Sequence, residues 1–293
     1  MNTLWQDIRF AVRMLVKNFS VTAIIIVVLA LGIGANTAIF SVVNAALLRP
    51  LPYADPDRLV RLSEDSPNVP QMSISYPNFL DWREQNKVFS GIAAMQFRSL
   101  NLTGKDDPER LAGRAVSAEL FDVLGVNPAL GRSFASEEDR PGANPVCIIS
   151  NGLWQRRFAS DPTIVNKQIT LSGASYTVIG VLPASYAYGT PTDVFVPIGL
   201  RADEMKERGN HPGIYAVARL KPGVTVETAR AELIAMAGRI SEQYGMKGNS
   251  ATLTPLSESF VGDIRLTLLI LLGAVGFVLA IACAIRHAAR ASR

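Results

Sequence analysis

Two long stretches without a single charged residue constrain this chain more than anything else in it. No Asp, Glu, Lys or Arg lies between Lys17 and Arg49, nor between Arg265 and Arg286. The first holds VTAIIIVVLALGIGANTAIFSVVNAALL, longer than the ~20 residues a helix needs to cross a hydrocarbon core. Pro50 and Pro52 then stop it. The second, LTLLILLGAVGFVLAIACAI (Leu266–Ile285), runs directly into RHAARASR and reads as a stop-transfer helix. A cleaved signal peptide with AIIIVVLALGIGA as its apolar region is the alternative for the first stretch. Its length and the segment ahead of it argue against that.

Charge places the two stretches. The chain carries a net +4, yet residues 49–265 sum to −1, residues 1–48 to +2 and residues 286–293 to +3. Basic residues beside apolar spans mark the cytoplasmic side. The expected topology therefore has both termini in the cytoplasm and Arg49–Arg265 outside a membrane crossed twice, with the lipid bilayer as a partner. A nucleic-acid binder would carry its basic stripe on the folded part, which here is neutral, so nucleic acid is not expected as a partner. Ahead of the first span, Trp5, Ile8, Val12, Leu15 and Phe19 fall on one helical face. Gln6, Arg9, Arg13 and Lys17 fall on the other, as suits a helix at a bilayer surface. The expected layout is a cytoplasmic amphipathic helix (1–18), a first transmembrane helix (19–48), an external domain (49–265), a second transmembrane helix (266–285) and a basic tail (286–293).

Both spans carry small residues one turn apart, Ala30, Gly34 and Ala38 in the first and Gly276, Ala280 and Ala284 in the second. That spacing lets helices approach closely in lipid and is also common by chance in apolar helices. These six are the candidate helix-packing residues.

The external part alternates strand-like and helix-like patches. Strands are expected at Arg58–Glu64, Ser99–Thr103, Arg110–Ser117, Val146–Ser150, Gln168–Ser172, Tyr176–Leu182, Asp193–Pro197 and Tyr215–Leu220. Helices are expected at Pro77–Gln85, Glu119–Leu124, Leu153–Phe158 and Val226–Tyr244. In the last, Val226, Ala229, Leu233, Met236 and Ile240 form one apolar stripe behind Thr225. Strands and helices mixed without regular βαβ units indicate an α+β domain.

Site chemistry is sparse. No Walker A sequence and no Gly-rich dinucleotide fingerprint follows a strand, so any ATP used by this protein is expected to bind another chain. His211, in NHPG, and His287 are the two histidines, and a triad or His-based zinc site would have to centre on His211. Ordinary surface is the expectation for it. Glu137, Glu138 and Asp139 lack calcium-loop spacing and read as a solvated turn or helix start. Phe79 and Trp82 of SYPNFLDWRE are three apart and read as core. No catalytic, cofactor-binding or metal-binding residue is nominated. Cys283 lies in the second apolar run and Cys147 in the external part, so no bridge between them is expected.

The residues themselves resemble a known family. WQDIRFAVRMLVKNFSVTAIIIVVLALGIGANTAIFSVVNAALLRPLPY is followed by SYPNFLDWREQNKVFSGIAA, SAELFDVLGVNPALGRSF, GLWQRRFASDPTIVNKQITLSGASYTVIGVLP, DVFVPI, LKPGVTVETARAEL and LLGAVGFVLAIACA. In this order they resemble the MacB-like and FtsX-type ABC transporter permeases, of the acidobacterial duplicated orphan permease type. The resemblance implies an external MacB-like periplasmic core domain, with a porter-like α+β subdomain and a mostly β insertion near Arg132–Leu200. It implies an inner-membrane permease component, moved by a separate cytoplasmic ABC ATPase, that exports or relays substrate without being an enzyme itself. Further partners would be a second permease half or a second copy. Family members continue through more spans, whereas this sequence passes from IACA to IRHAARASR and stops, as a truncated product, fragment or degenerate copy would. A membrane-anchored binding or sensing module is the competing expectation, and an anchored hydrolase a third that lacks a visible site.

Overall fold

The computed structural model describes residues 51–104, 107–186, 188–246 and 248–260. In the flanks it describes 5–6, 9–10, 13, 16–17, 19–20, 22–23, 26–27, 30, 33–34, 37–38, 41, 270, 273 and 277. The chain divides into two units, Pro50–Phe260 and the flanks Met1–Arg49 with Val261–Arg293. Every described residue of the flanks is helical. Among the described residues, no helix is long and apolar enough to cross a membrane.

Among the described residues, Pro50–Phe260 is built on one eleven-stranded sheet and four bounded α-helices, and residues 256–260 are helical as well. The strands are β1 (Leu59–Ser66), β2 (Val69–Met72), β3 (Phe89–Thr103), β4 (Glu109–Val116), β5 (Leu130–Gly131), β6 (Val146–Ile149), β7 (Gln168–Leu171), β8 (Ala174–Val181), β9 (Val194–Pro197), β10 (Ile214–Leu220) and β11 (Ser250–Pro255). The helices are α1 (Tyr76–Gln85), α2 (Leu120–Leu124), α3 (Asn151–Phe158) and α4 (Val226–Gln243). The order is β11-β1-β10-β3-β4-β9-β6-β8-β5, with β2 beside β1. Pairing is antiparallel except for β4 with β9 and β6 with β8.

The helices begin where the sequence offers caps. Ser75, Ser150 and Thr225 each accept a backbone N–H three residues on, satisfying one orphan donor of the first turn. The stripe of α4 lies inward as its spacing demands: Ala229, Leu233, Met236 and Ile240 are buried and Val226 is half-buried. With α1, which buries Phe79 and Trp82, it covers the sheet face carrying Leu62, Ala94, Ala216 and Ala218. The opposite face carries Leu59, Ala93, Met95, Val116 and Val217 under Leu120, Phe121 and Leu124 of α2.

The insertion expected near Arg132–Leu200 shares its sheet with the rest. Its strands β6, β7, β8 and β9 extend past β4, and β7 returns to pair with the far end of the 15-residue β3 through Leu102 and Thr103. Successive pairings β3-β4-β9-β6-β8-β7-β3 thereby close a ring. Leu100, Leu111, Cys147, Leu171, Val178 and Val194 from its strands all belong to the core beneath α1 and α4. Cys147 is a free, fully buried thiol, and burial pushes its pKa far above the ordinary thiol range.

Candidate functional site

The residues with the most chemistry in the sequence turn out to be structural. His211 is not plain surface: its Nε2 lies 2.8 Å from Oε2 of Glu64 and its Nδ1 3.1 Å from the Gly209 carbonyl. Glu64 is 1% exposed, and its Oε1 accepts from the Ser75 N–H at 3.1 Å and from Nδ2 of Asn78 at 2.6 Å. Oδ1 of Asn78 accepts in turn from Nη1 of Arg208, which donates at 2.6 Å to Oδ2 of Asp81 and stacks 3.7 Å over the Tyr244 ring. A carboxylate this deep in β1 needs donors for its lone pairs, and these come from α1 and the loop before β10. The arrangement is a polar knot tying those elements together. The hydroxyl of Ser75 is occupied as an acceptor at the helix start, and the adjoining cavity of about 10 Å³ is too small for a substrate.

The acidic segment is the helix start expected, a 3-10 turn over Ser136–Glu138 with Glu137 exposed, but its other two carboxylates are engaged. Glu138 is held by Arg132 through two short bonds of 2.6 and 2.8 Å, which keep its carboxyl below the usual range. Asp139 is half-buried. Its two oxygens accept from the Ala118 N–H at 3.1 Å and the Gly199 N–H at 2.6 Å, and burial raises its pKa against the pull of those donors. Those two backbone donors, after β4 and β9, have the Asp139 carboxylate as their acceptor. Among the described residues no group of three or more His, Cys, Asp and Glu is arranged to hold a metal.

Of the candidate helix-packing residues, Ala30, Gly34 and Ala38 are helical and exposed, and a Cβ added at Gly34 would meet nothing within 4 Å. Gly276, Ala280 and Ala284 lie outside the described residues.

The place with room for a ligand was not legible in the sequence. Two residues along each strand from the core under α2, the same sheet face carries Arg61, Tyr215, Phe97 and Arg114 in place of aliphatic side chains. The register makes the line: Arg61 lies opposite Val217, Tyr215 opposite Met95 and Phe97 opposite Arg114. With Tyr188, Gly189, Ser259 and Phe260 they border an open groove of about 250 Å³. Phe97 is 57% and Phe260 36% exposed, large values for aromatic side chains beside a core. The Arg61 guanidinium stacks 4.2 Å over Tyr215, and Arg114 lies 5.4 Å from the Tyr188 ring centre and 5.9 Å from that of Phe97.

Arg114 donates to hydroxyls of Thr192 (2.9 Å) and Thr190 (3.2 Å) and to the Tyr188 carbonyl, and neither it nor Arg61 has a carboxylate partner among the described residues. Burial pushes the Tyr188 hydroxyl up to about 12 while Arg114 and Arg61 both pull it back, so the two cations address the same wall. Gly189 has φ 59°, and a Cβ there would stand 3.4 Å from the Phe260 ring, so glycine keeps the turn compatible with that wall.

Comparison with solved structures gives this architecture a class. The periplasmic region of MacB from Actinobacillus actinomycetemcomitans superposes with a TM-score of 0.56 at 13% identity, over 75% of this chain and 98% of that one. A domain of a putative permease protein from Porphyromonas gingivalis gives 0.54 at 16% identity, over 69% and 92%. The extracellular domain of the noncanonic ABC-type transporter YknZ from Gram-positive bacteria gives 0.50 at 13%, over 67% and 99%. At these identities the likeness is one of fold, a mixed α/β porter-like domain. The family model of the MacB-like periplasmic core domain matches residues 22–236, and the chain belongs to that family. No match was found among curated proteins.

Proposed function

We propose that the chain is a permease component of a MacB/FtsX-like ABC transporter, its core domain outside the inner (plasma) membrane and its termini in the cytoplasm. The observation that carries this reading is the family match across residues 22–236 together with the fold shared with the MacB periplasmic region. Residues 19–48 and 266–285 cross the bilayer and pass motion between a separate cytoplasmic ATPase and the sheet domain, which exports or relays substrate. Catalysis of ATP hydrolysis belongs to that other subunit. One detail of the first stretch supports a lipid setting. Oγ1 of Thr37 donates to the Ile33 carbonyl at 2.8 Å and Oγ of Ser41 to the Thr37 carbonyl at 2.7 Å, so these hydroxyls are satisfied within their own helix. The open groove favours a second reading, a membrane-anchored module that binds a ligand outside without driven motion.

Both readings need the domain outside. With Cys283→Ala and a cysteine introduced at exposed Glu137 (Glu137→Cys), a membrane-impermeant maleimide added to intact cells should label the chain. Labelling only after the cytoplasm is opened would refute both.

A further inference from the structure

The groove on the α2 side of the sheet has no role in the ATP-driven mechanism above, and its chemistry specifies an occupant. Its walls are of two kinds. Arg61 and Arg114 present guanidiniums whose only described neighbours are rings, hydroxyls, a carbonyl and the Met95 sulfur, so an anion would meet no competing carboxylate. Arg in such a setting recognises carboxylate or phosphate oxygens through paired N–H donors. Phe97, Tyr188, Tyr215, Met95 and Phe260 supply an apolar surface beside them, with Phe97 and Phe260 left facing water. A ligand that matches both is amphiphilic, with an acidic head and an apolar body.

Position along the chain selects among such ligands. Phe260 is six residues before Leu266, where the second uncharged stretch begins. Six residues of extended chain reach at most about 20 Å, and aromatic side chains with adjoining cations are the usual furniture of the membrane–water interface. This step rests on the reading that residues 266–285 cross the bilayer.

We propose that the groove binds an anionic phospholipid from the outer face of that bilayer, with the headgroup phosphate against Arg61 and Arg114 and the glycerol end of the acyl chains along Phe97 and Phe260. The site gives the external domain a lipid-dependent attachment, separate from its covalent tethers.

The test uses the full chain in phosphatidylcholine vesicles containing a small fraction of phosphatidylglycerol with a photoreactive group near the glycerol. After illumination, peptides are mapped by mass spectrometry. The expected result is labelling of peptides containing Phe97, Tyr188 or Phe260, much weaker with the matched phosphatidylcholine probe. Arg61→Gln should lower groove labelling about tenfold, the loss of one charge-assisted contact. Among the described residues that side chain makes only its stack on Tyr215, so the variant should melt as the parent does, and Arg61→Lys should recover part of the labelling.

Equal labelling by both probes, or labelling unchanged in a folded Arg61→Gln chain, would overturn the proposal. So would protection of the groove by a short-chain phosphatidylglycerol in water without any labelling from the bilayer. Labels in 19–48 and 266–285 report membrane insertion separately. Their presence without groove labelling sinks this proposal alone, and their absence sinks the topology beneath it.

Discussion

Replacing Glu64 is the sharpest perturbation the fold offers. Its side chain is 2% exposed, and its two oxygens satisfy the Ser75 N–H, the Asn78 amide and the His211 ring at 3.1, 2.6 and 2.8 Å. Glu64→Ala strands the first two donors in the interior, each worth about 1–3 kcal/mol when left unmade. His211 is 23% exposed on its side chain and can turn to water. The expected loss is therefore about 2–6 kcal/mol, from the two donors left without an acceptor. Glu64→Gln keeps an acceptor for Ser75 and Asn78 and should cost about half as much.

His211→Ala removes one contact of a partly wet ring and should cost about 1–2 kcal/mol. The double variant should show a coupling of about 1 kcal/mol or more, because the two residues share that contact. The assay is urea unfolding of the full chain in mild detergent, followed by tryptophan fluorescence with Trp5 and Trp154 replaced by Phe, which leaves Trp82 beside the same small cavity. A Glu64→Ala loss under about 1 kcal/mol, or additive single effects, would mean that the knot does not hold β1, α1 and the β10 approach together.

Three further outcomes follow from the same geometry. Gly199→Ala would set a Cβ 2.1 Å from the Asp139 carbonyl oxygen, so it should lower the melting temperature sharply by circular dichroism, whereas Gly238→Ala, with nothing within 4 Å, should not. Burial raises the Tyr76 and Tyr188 hydroxyls to about 12, above their unfolded value near 10. A raised folded pKa stabilises below the unfolded pKa and loses that contribution as pH climbs through the folded one. Stability should thus hold to about pH 10 and fall between 10 and 12, by on the order of 2 kcal/mol for Tyr76, and Tyr76→Phe should flatten that decline in pH-dependent melts. In a Cys283→Ala background, Cys147 should resist maleimide in the folded chain and react once urea unfolds it, since the thiol is fully buried. Rapid reaction in native conditions would contradict the packing of the strand ring.

What could be read from the sequence divides along physical lines. The α4 stripe behind Thr225, the presence of α1 and α3, and strands such as β4 and β8 were legible because apolar periodicity and turn signals are local. The first half of β3 escaped, since GIAAM offers small residues that gain strand character only between β10 and β4. β2 and β11 escaped because short, polar edge segments owe their shape to pairing with β1. His211 was read as surface because its carboxylate partner is 147 residues away. The groove was invisible for the same reason at larger scale: Arg61, Phe97, Arg114, Tyr188, Tyr215 and Phe260 meet only through sheet register and one glycine turn.

The central claim is that this chain works with an ATP-driven engine it does not itself contain. A mild-detergent pull-down of the tagged full chain from its native membrane, with mass spectrometry of what accompanies it, tests that directly. The account predicts an ABC ATPase in stoichiometric company, enriched over a control membrane protein and lost when the terminal segments 1–18 and 286–293 are exchanged. Recovery of the chain without any ATPase, under conditions that preserve a known transporter of the same membrane, would contradict it and leave the anchored binding module standing.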